Sequence, residues 1–215
     1  MDTFEADYWK DNYSQPLSMD CIGNAKQHVQ YLKSFFELEL IDVSSIIDLG
    51  FGYGYLFQRM LKTFIPYRAR GIEPSRFAYS KATARKLKPV ESMKLQLDNI
   101  SLQDWSEEED SKKNSFDLGI CTSVFQYLPE KELKSLIPVM SRRLKYLYLT
   151  LPTDIELDRQ IEDLNFKDEY ALRRSRDFYR KLLAPHFTNI SSKVWESKYH
   201  FDEKTTLFSD LLYRS

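Results

Sequence analysis

Glycine is scarce in this chain of 215 residues. There are six, about 3% where about 7% is usual. Cysteine is scarcer still. Cys21 and Cys121 are too few for a disulfide framework and lack the paired spacing of a zinc site. They read as reduced thiols, which predicts a cytoplasmic protein. No run approaches 18 consecutive apolar residues, which argues against a transmembrane helix. The opening MDTFEADYWKDNY is acidic and aromatic, the wrong chemistry for a signal or transit peptide. An excess of charge is lacking as well. Lys+Arg number 31 and Asp+Glu 32, for a net charge of -1. No global positive field is there to hold a nucleic-acid backbone, although a local basic patch stays open.

What is present is an ordinary globular balance, 42% hydrophobic and 29% charged, which excludes a disordered chain. The length suits one domain, or one with a small appendage. Ile22, Ala25, Val29, Leu32 and Phe36 keep the spacing of an amphipathic helix, which Asp20 could cap. Ser44–Leu49 is short, apolar and β-branched, so it reads as a buried strand. The spacing then predicts a helix over Leu56–Phe64, a strand over Tyr67–Ile72, a helix over Arg76–Lys86 and a strand over Met93–Leu97. Glu107–Asp110 with Lys112 and Lys113 reads as a solvated loop. Phe116–Cys121 is a fourth strand, Pro129–Arg143 a helix, and Tyr146–Leu151 a fifth strand. Residues 154–185 read as mostly helical. Ile190–Glu196 and Thr205–Tyr213 alternate like a closing antiparallel pair, too near each other for a crossover helix. Strand, helix, strand repeated through residue 151 implies right-handed crossovers and a parallel sheet.

The glycines are not spread evenly. Gly50, Gly52 and Gly54 fall within five residues, between the first strand and its helix. A chain that avoids glycine and then clusters it needs special backbone geometry there. In an open parallel sheet, ligands bind at the carboxyl ends of the strands. Glycines let the backbone approach a ligand, and the helix that follows offers its positive end to an anion. The dinucleotide fingerprint G-x-G-x-x-G is not met, because the spacing here is G-x-G-x-G and position 55 is Tyr. Asp48 lies two residues before the first glycine. Glu73 follows Gly54 by 19 residues, at the end of the second strand, where a carboxylate can accept both hydroxyls of a ribose.

Three segments in order carry a resemblance: Asp48-Leu49-Gly50-Phe51-Gly52-Tyr53-Gly54, then Gly71-Ile72-Glu73-Pro74-Ser75, then Phe116-Asp117-Leu118-Gly119-Ile120-Cys121-Thr122-Ser123-Val124-Phe125-Gln126-Tyr127-Leu128-Pro129. Together they resemble the class I S-adenosylmethionine-dependent methyltransferases, well over residues 45–151. The resemblance implies a three-layer αβα sandwich with a seven-stranded sheet of order 3-2-1-4-5-7-6, strand 7 alone antiparallel. It implies S-adenosyl-L-methionine as cofactor and S-adenosyl-L-homocysteine as product. Asp48, Gly50, Gly52 and Gly54 would line the methionine part. Glu73 would hold the ribose hydroxyls, with Pro74 and Ser75 packed nearby. Asp98 or Asn99 would meet the adenine amine, with Asn99 and Ile100 favoured. Thr122 and Ser123 would sit by the methionine amine and sulfonium.

The sulfonium methyl is already activated, so transfer is an in-line displacement that asks mainly for proximity and alignment. A base matters only where the nucleophile must lose a proton. His28, His186 and His200 lie in no matched motif. Gln126 and Tyr127 are the weak catalytic candidates; the small-molecule branch that this motif resembles often has His where Tyr127 stands. No metal-ligand spacing is present. Residues 1–43 are expected to form a helical cap over the cofactor and acceptor site. The remaining 44–215 are expected to form the methyltransferase domain, with a helical lid over about 152–185. Tyr8, Trp9 and Tyr13 on the cap, and Arg173 and Arg174 on the lid, are the acceptor candidates. The expectation is a small-molecule acceptor, no membrane and no nucleic acid, with oligomeric state open. Two alternatives stand beside it: methylation of a protein or RNA component, and a non-catalytic protein that binds the cofactor and a partner.

Overall fold

The structure is a computed structural model that describes residues 8–9, 22–110, 114–164 and 168–210. Seven strands form one mixed sheet of order β3-β2-β1-β4-β5-β7-β6, flanked by helices. The chain divides into two compact units, residues 1–105 and 106–215.

In the first unit, β1 (Ser45–Leu49), β2 (Arg68–Ile72) and β3 (Lys94–Asp98) run parallel. The last four residues of both β1 and β2 are buried, as expected of parallel strands covered on both faces. Helix α1 (Ala25–Leu38) precedes β1, with Asn24 at its N-cap; Asp20 lies outside the described residues. α2 (Tyr55–Phe64) buries Leu56, Phe57, Met60 and Leu61. The two helices meet through Phe36 and Phe64, ring centroids 6.3 Å apart. α3 (Arg76–Thr83) starts at Ser75, whose hydroxyl accepts the Ala78 N–H at 3.3 Å. It ends three residues earlier than the spacing predicts, and Ala84–Lys88 is a turn before Pro89. α4 (Leu102–Glu107) follows β3 and buries Trp105. The register aligns Leu49 with Ile72 and Ile72 with Asp98. That alignment brings Gly50, Glu73 and Asn99 to one level, past the carboxyl ends of three neighbouring strands.

In the second unit, β4 (Phe116–Thr122) and β5 (Leu144–Thr150) are parallel, with Thr122 opposite Thr150. α5 (Glu130–Arg143) connects them. α6 (Asp154–Leu164) and α7 (Arg176–Leu183) follow β5. The closing hairpin is antiparallel, as expected, but sits elsewhere. Its strands are β6 (Phe187–Asn189) and β7 (Val194–Ser197), with β7 also antiparallel to β5. Residues Thr205–Asp210 form turns rather than a strand. Their alternation has another cause: Thr206 and Phe208 are buried, and Thr206 Oγ1 lies 2.8 Å from both oxygens of the buried Glu196. The loop after α4 is not merely solvated either. Asp110 accepts from Arg142 Nε and Arg143 Nε, both at 2.7 Å, and Arg143 is buried. A buried guanidinium needs such a partner.

Candidate active site

The carboxyl ends of β1–β3 build one part of the site entirely within the first unit. Gly50, Gly52 and Gly54 all adopt left-handed φ, of 94°, 54° and 73°. Only glycine takes three such positions in five residues without strain. The turn is tied to the sheet by Gly50 N–H, which donates to Ile72 O at 2.8 Å. It is tied to Glu73 by Gly52 N–H, which donates to Oε2 at 2.8 Å; Ser75 N–H donates to Oε1 at 2.9 Å. Burial outweighs these two bonds and pushes the Glu73 carboxyl up to about 7 from an ordinary 4.5. Burial, and next the charge of Glu73, also raise Asp48 well above the usual carboxylate range. Asp48 is buried, and its Oδ1 has no hydrogen-bond partner among the described residues.

The third-strand candidates differ in what they do. Asp98 Oδ2 accepts from Arg70 Nε at 2.7 Å, and Gln96 Nε2 lies 3.0 Å and 2.9 Å from its two oxygens. Its carboxylate is committed to an ion pair across β2 and β3. Asn99 Nδ2 donates to Glu73 O and Pro74 O at 2.8 and 3.0 Å, which pins the β2 end and leaves Oδ1 as an acceptor. Ile100 is half-buried and Pro74 exposed. Sequence reasoning missed the Arg70–Asp98 pair. Arg70 stands opposite Gln96, so only the register discloses a partner two residues along.

Trp9 is the other surprise. The sequence offers it as an acceptor residue; in the structure it lies against the Gly50–Gly54 turn. Its ring comes within 3.3 Å of where a Gly52 Cβ would stand, it donates Nε1–H to Ser75 Oγ at 2.9 Å, and it meets Tyr53 at 4.8 Å. Tyr8 packs edge-on against it at 5.9 Å. Tyr13 lies outside the described residues.

The second unit holds the remaining candidates. Ser123 takes a φ of 54°, a conformation costly for a residue with a Cβ, and its N–H donates to Thr150 O at 2.8 Å. Thr122 is half-buried. Phe125–Tyr127 form a single 3₁₀ turn. Gln126 is 2% exposed and its Oε1 has no hydrogen-bond partner among the described residues. Tyr127 donates its hydroxyl to Asp168 Oδ2 at 2.6 Å. The segment after α6 folds back on this turn: Leu172 N–H donates to Gln126 O at 2.8 Å, and Arg174 Nη1 to Phe125 O at 3.2 Å. Arg174 is half-buried, 4.9 Å from the Phe178 ring, and its charge reaches the Glu130 carboxylate. Arg173, by contrast, is paired to Asp158 at 2.6 Å. His200 bonds Arg142 O at 2.9 Å, away from this turn.

Residues 46–146 match the family described as "Methyltransferase domain". No curated protein sequence matches. Three of the solved structures that share the fold illustrate the range. An S-adenosylmethionine-dependent methyltransferase from Clostridium acetobutylicum ATCC 824 has 13% identity and a TM-score of 0.63, over 88% of this chain and 95% of that one. The magnesium protoporphyrin IX methyltransferase ChlM from Synechocystis PCC 6803, with bound SAH, has 17% identity and a TM-score of 0.58, over 91% and 95%. The small RNA methyltransferase HEN1 has 17% identity and a TM-score of 0.58, over 83% of this chain but 26% of that one. Residues 46–146 thus carry a methyltransferase-domain match, on a sheet of the order expected of the class I, S-adenosylmethionine-dependent enzymes.

Proposed function

We propose that the first unit binds S-adenosylmethionine through the Gly50–Gly54 turn and Glu73, and that the protein moves the methyl group to a small organic acceptor. One observation carries the cofactor assignment: a glycine turn with three left-handed residues closes onto a buried carboxylate. The residues suit the group. Asp48 Oδ1 is a buried acceptor in want of a donor, and the cofactor's ammonium supplies one. Glu73 retains lone pairs for the ribose hydroxyls beside its two backbone bonds. Asn99 Oδ1 is left to accept from the adenine amine. The bound cofactor supplies an electrophilic methyl, so the chain need only orient a nucleophile and exclude water.

On the resemblance alone, Thr122 and Ser123 share in holding the cofactor. The acceptor residues are Gln126, Tyr127 and Arg174. Gln126 Oε1 can take a hydrogen from a hydroxyl or amine, and Arg174 can hold an anionic group. Tyr127, bonded to Asp168, is the candidate for relaying a proton. Trp9 passes from the acceptor to the cofactor. The second reading is an RNA acceptor, favoured by the excess of Lys and Arg over residues 51–94. A cytoplasmic setting suits the reduced, buried Cys121. No helix among the described residues is long and apolar enough to cross a membrane.

Isothermal titration tests the reading. S-adenosylmethionine should bind saturably, and Glu73→Ala should weaken it about 10–100-fold, the worth of hydrogen bonds to a charged group. Absence of binding at millimolar cofactor overturns the proposal.

A further inference from the structure

Residues 51–94 contain ten Lys and Arg but only two acidic residues, Glu73 and Glu91. Glu73 is buried, and Glu91 is paired with Lys88 at 3.4 Å. The exposed charge of this stretch is therefore almost wholly positive. Packing gathers much of it on one face. Gly54, at the head of α2, lies where a Cβ would be 3.2 Å from Ala82 Cβ of α3. Gln58 Nε2 donates to Lys86 O at 2.7 Å, and the Arg85 guanidinium stacks 3.8 Å above the Tyr55 ring. Arg59 stands one turn after Tyr55, and Lys62 one turn after Gln58. Lys81, one turn before Arg85, lies 5.5 Å over Phe77.

Arg59, Lys62, Lys81 and Lys86 are exposed. None of them, nor Arg85, pairs with a carboxylate among the described residues. Like charges held together without counter-charge repel one another. A polyanion removes that cost, and each phosphate contact releases counterions. The aromatics choose among polyanions. Rings interleaved with cations make the stacking track of single-stranded nucleic acids, and a stacked guanidinium offers its outer plane to an unpaired base. An acidic protein has no use for such planes. A lipid surface asks for exposed aliphatic side chains, and the patch carries none; Ile65 lies beyond the last turn of α2.

We infer that the α2–α3 face docks single-stranded RNA, with Arg59, Lys62, Lys81 and Lys86 on phosphates and the Arg85–Tyr55 stack beneath a base. α2 begins at the glycine turn, so a strand docked here passes beside it. Service of that RNA as methyl acceptor rests on the methyltransferase reading, while the docking does not.

The test is fluorescence anisotropy with a labelled single-stranded RNA of about 20 nucleotides, in a salt series. Binding should weaken steeply with salt. The triple variant R59E/K62E/K86E should lose at least about 10-fold in affinity and lower the log–log salt slope by about 2–3. Its S-adenosylmethionine affinity, by calorimetry, should be unchanged. The milder R59Q/K62Q/K86Q serves if the reversed variant does not fold. No RNA binding at about 50 mM salt, or equal affinity in wild type and variants, overturns the inference. So does equal or tighter binding of single-stranded DNA, polyglutamate or phosphatidylserine vesicles. Failure of the wild type to bind S-adenosylmethionine counts against the methyltransferase reading alone.

Discussion

Glu73 is asked to be two things at once. Its place beneath the glycine turn strips it of water, yet the role proposed for it, holding ribose hydroxyls, needs the ionised form. Burial raises its pKa to about 7, so the folded protein keeps a proton that the unfolded chain gives up near 4.5. Between those values the folded state binds more protons, so stability falls as pH rises. Cofactor-free protein should therefore lose melting temperature between about pH 5 and 7, and Glu73→Gln should flatten that loss. Asp48, raised in the same direction, should keep the remainder. Cofactor affinity should run the other way, tightening as pH rises through about 7, because ribose hydroxyls donate to the carboxylate. Calorimetry at pH 6, 7 and 8 checks the sign; an affinity flat across that range would remove Glu73 from the ribose.

At the scale of elements, burial decided what could be read. β1 and β4 are buried nearly throughout, and their runs of Ile, Leu and Phe show it. The glycine turn was legible because three glycines stand out in a chain with six. β6 was not, since three residues directly after a helix and Pro185 give no period to read. The Thr205–Tyr213 alternation misled because two buried anchors, Thr206 and Phe208, mimic a strand. The Arg70–Asp98 ion pair was not legible because it depends on register, which sequence does not carry. A helix start was readable at Ser75, where the cap is polar; the one at Ser175 lay hidden inside a stretch read as mostly helical. The end of α2 is an exception with a price. Ile65 closes it at a φ of 45°, 54% exposed, a conformation that suits glycine and strains a β-branched residue. Ile65→Gly should stabilise the protein by about 1 kcal/mol, seen as a higher melting temperature; a lower one would mean that Ile65 packs against something.

The whole molecule is nearly neutral, and that number concealed its distribution. A net charge of -1 led to the expectation of no nucleic-acid partner. Totals govern solubility, but local fields govern encounter. The protein should be retained on heparin near neutral pH despite its net charge, and R59E/K62E/K86E should elute at clearly lower salt. Equal elution would show that no local field is at work. Connectivity has a consequence of its own. The bond from Trp9 to Ser75 spans 66 residues of chain, and the surface it covers arises only once β1 and β2 have paired and the Gly50–Gly54 turn has formed. Contacts so distant in sequence are late to close. The indole cover is therefore the part of the turn with the largest loop-closure cost, and the turn's own bonds to Ile72 and Glu73 do not run through it.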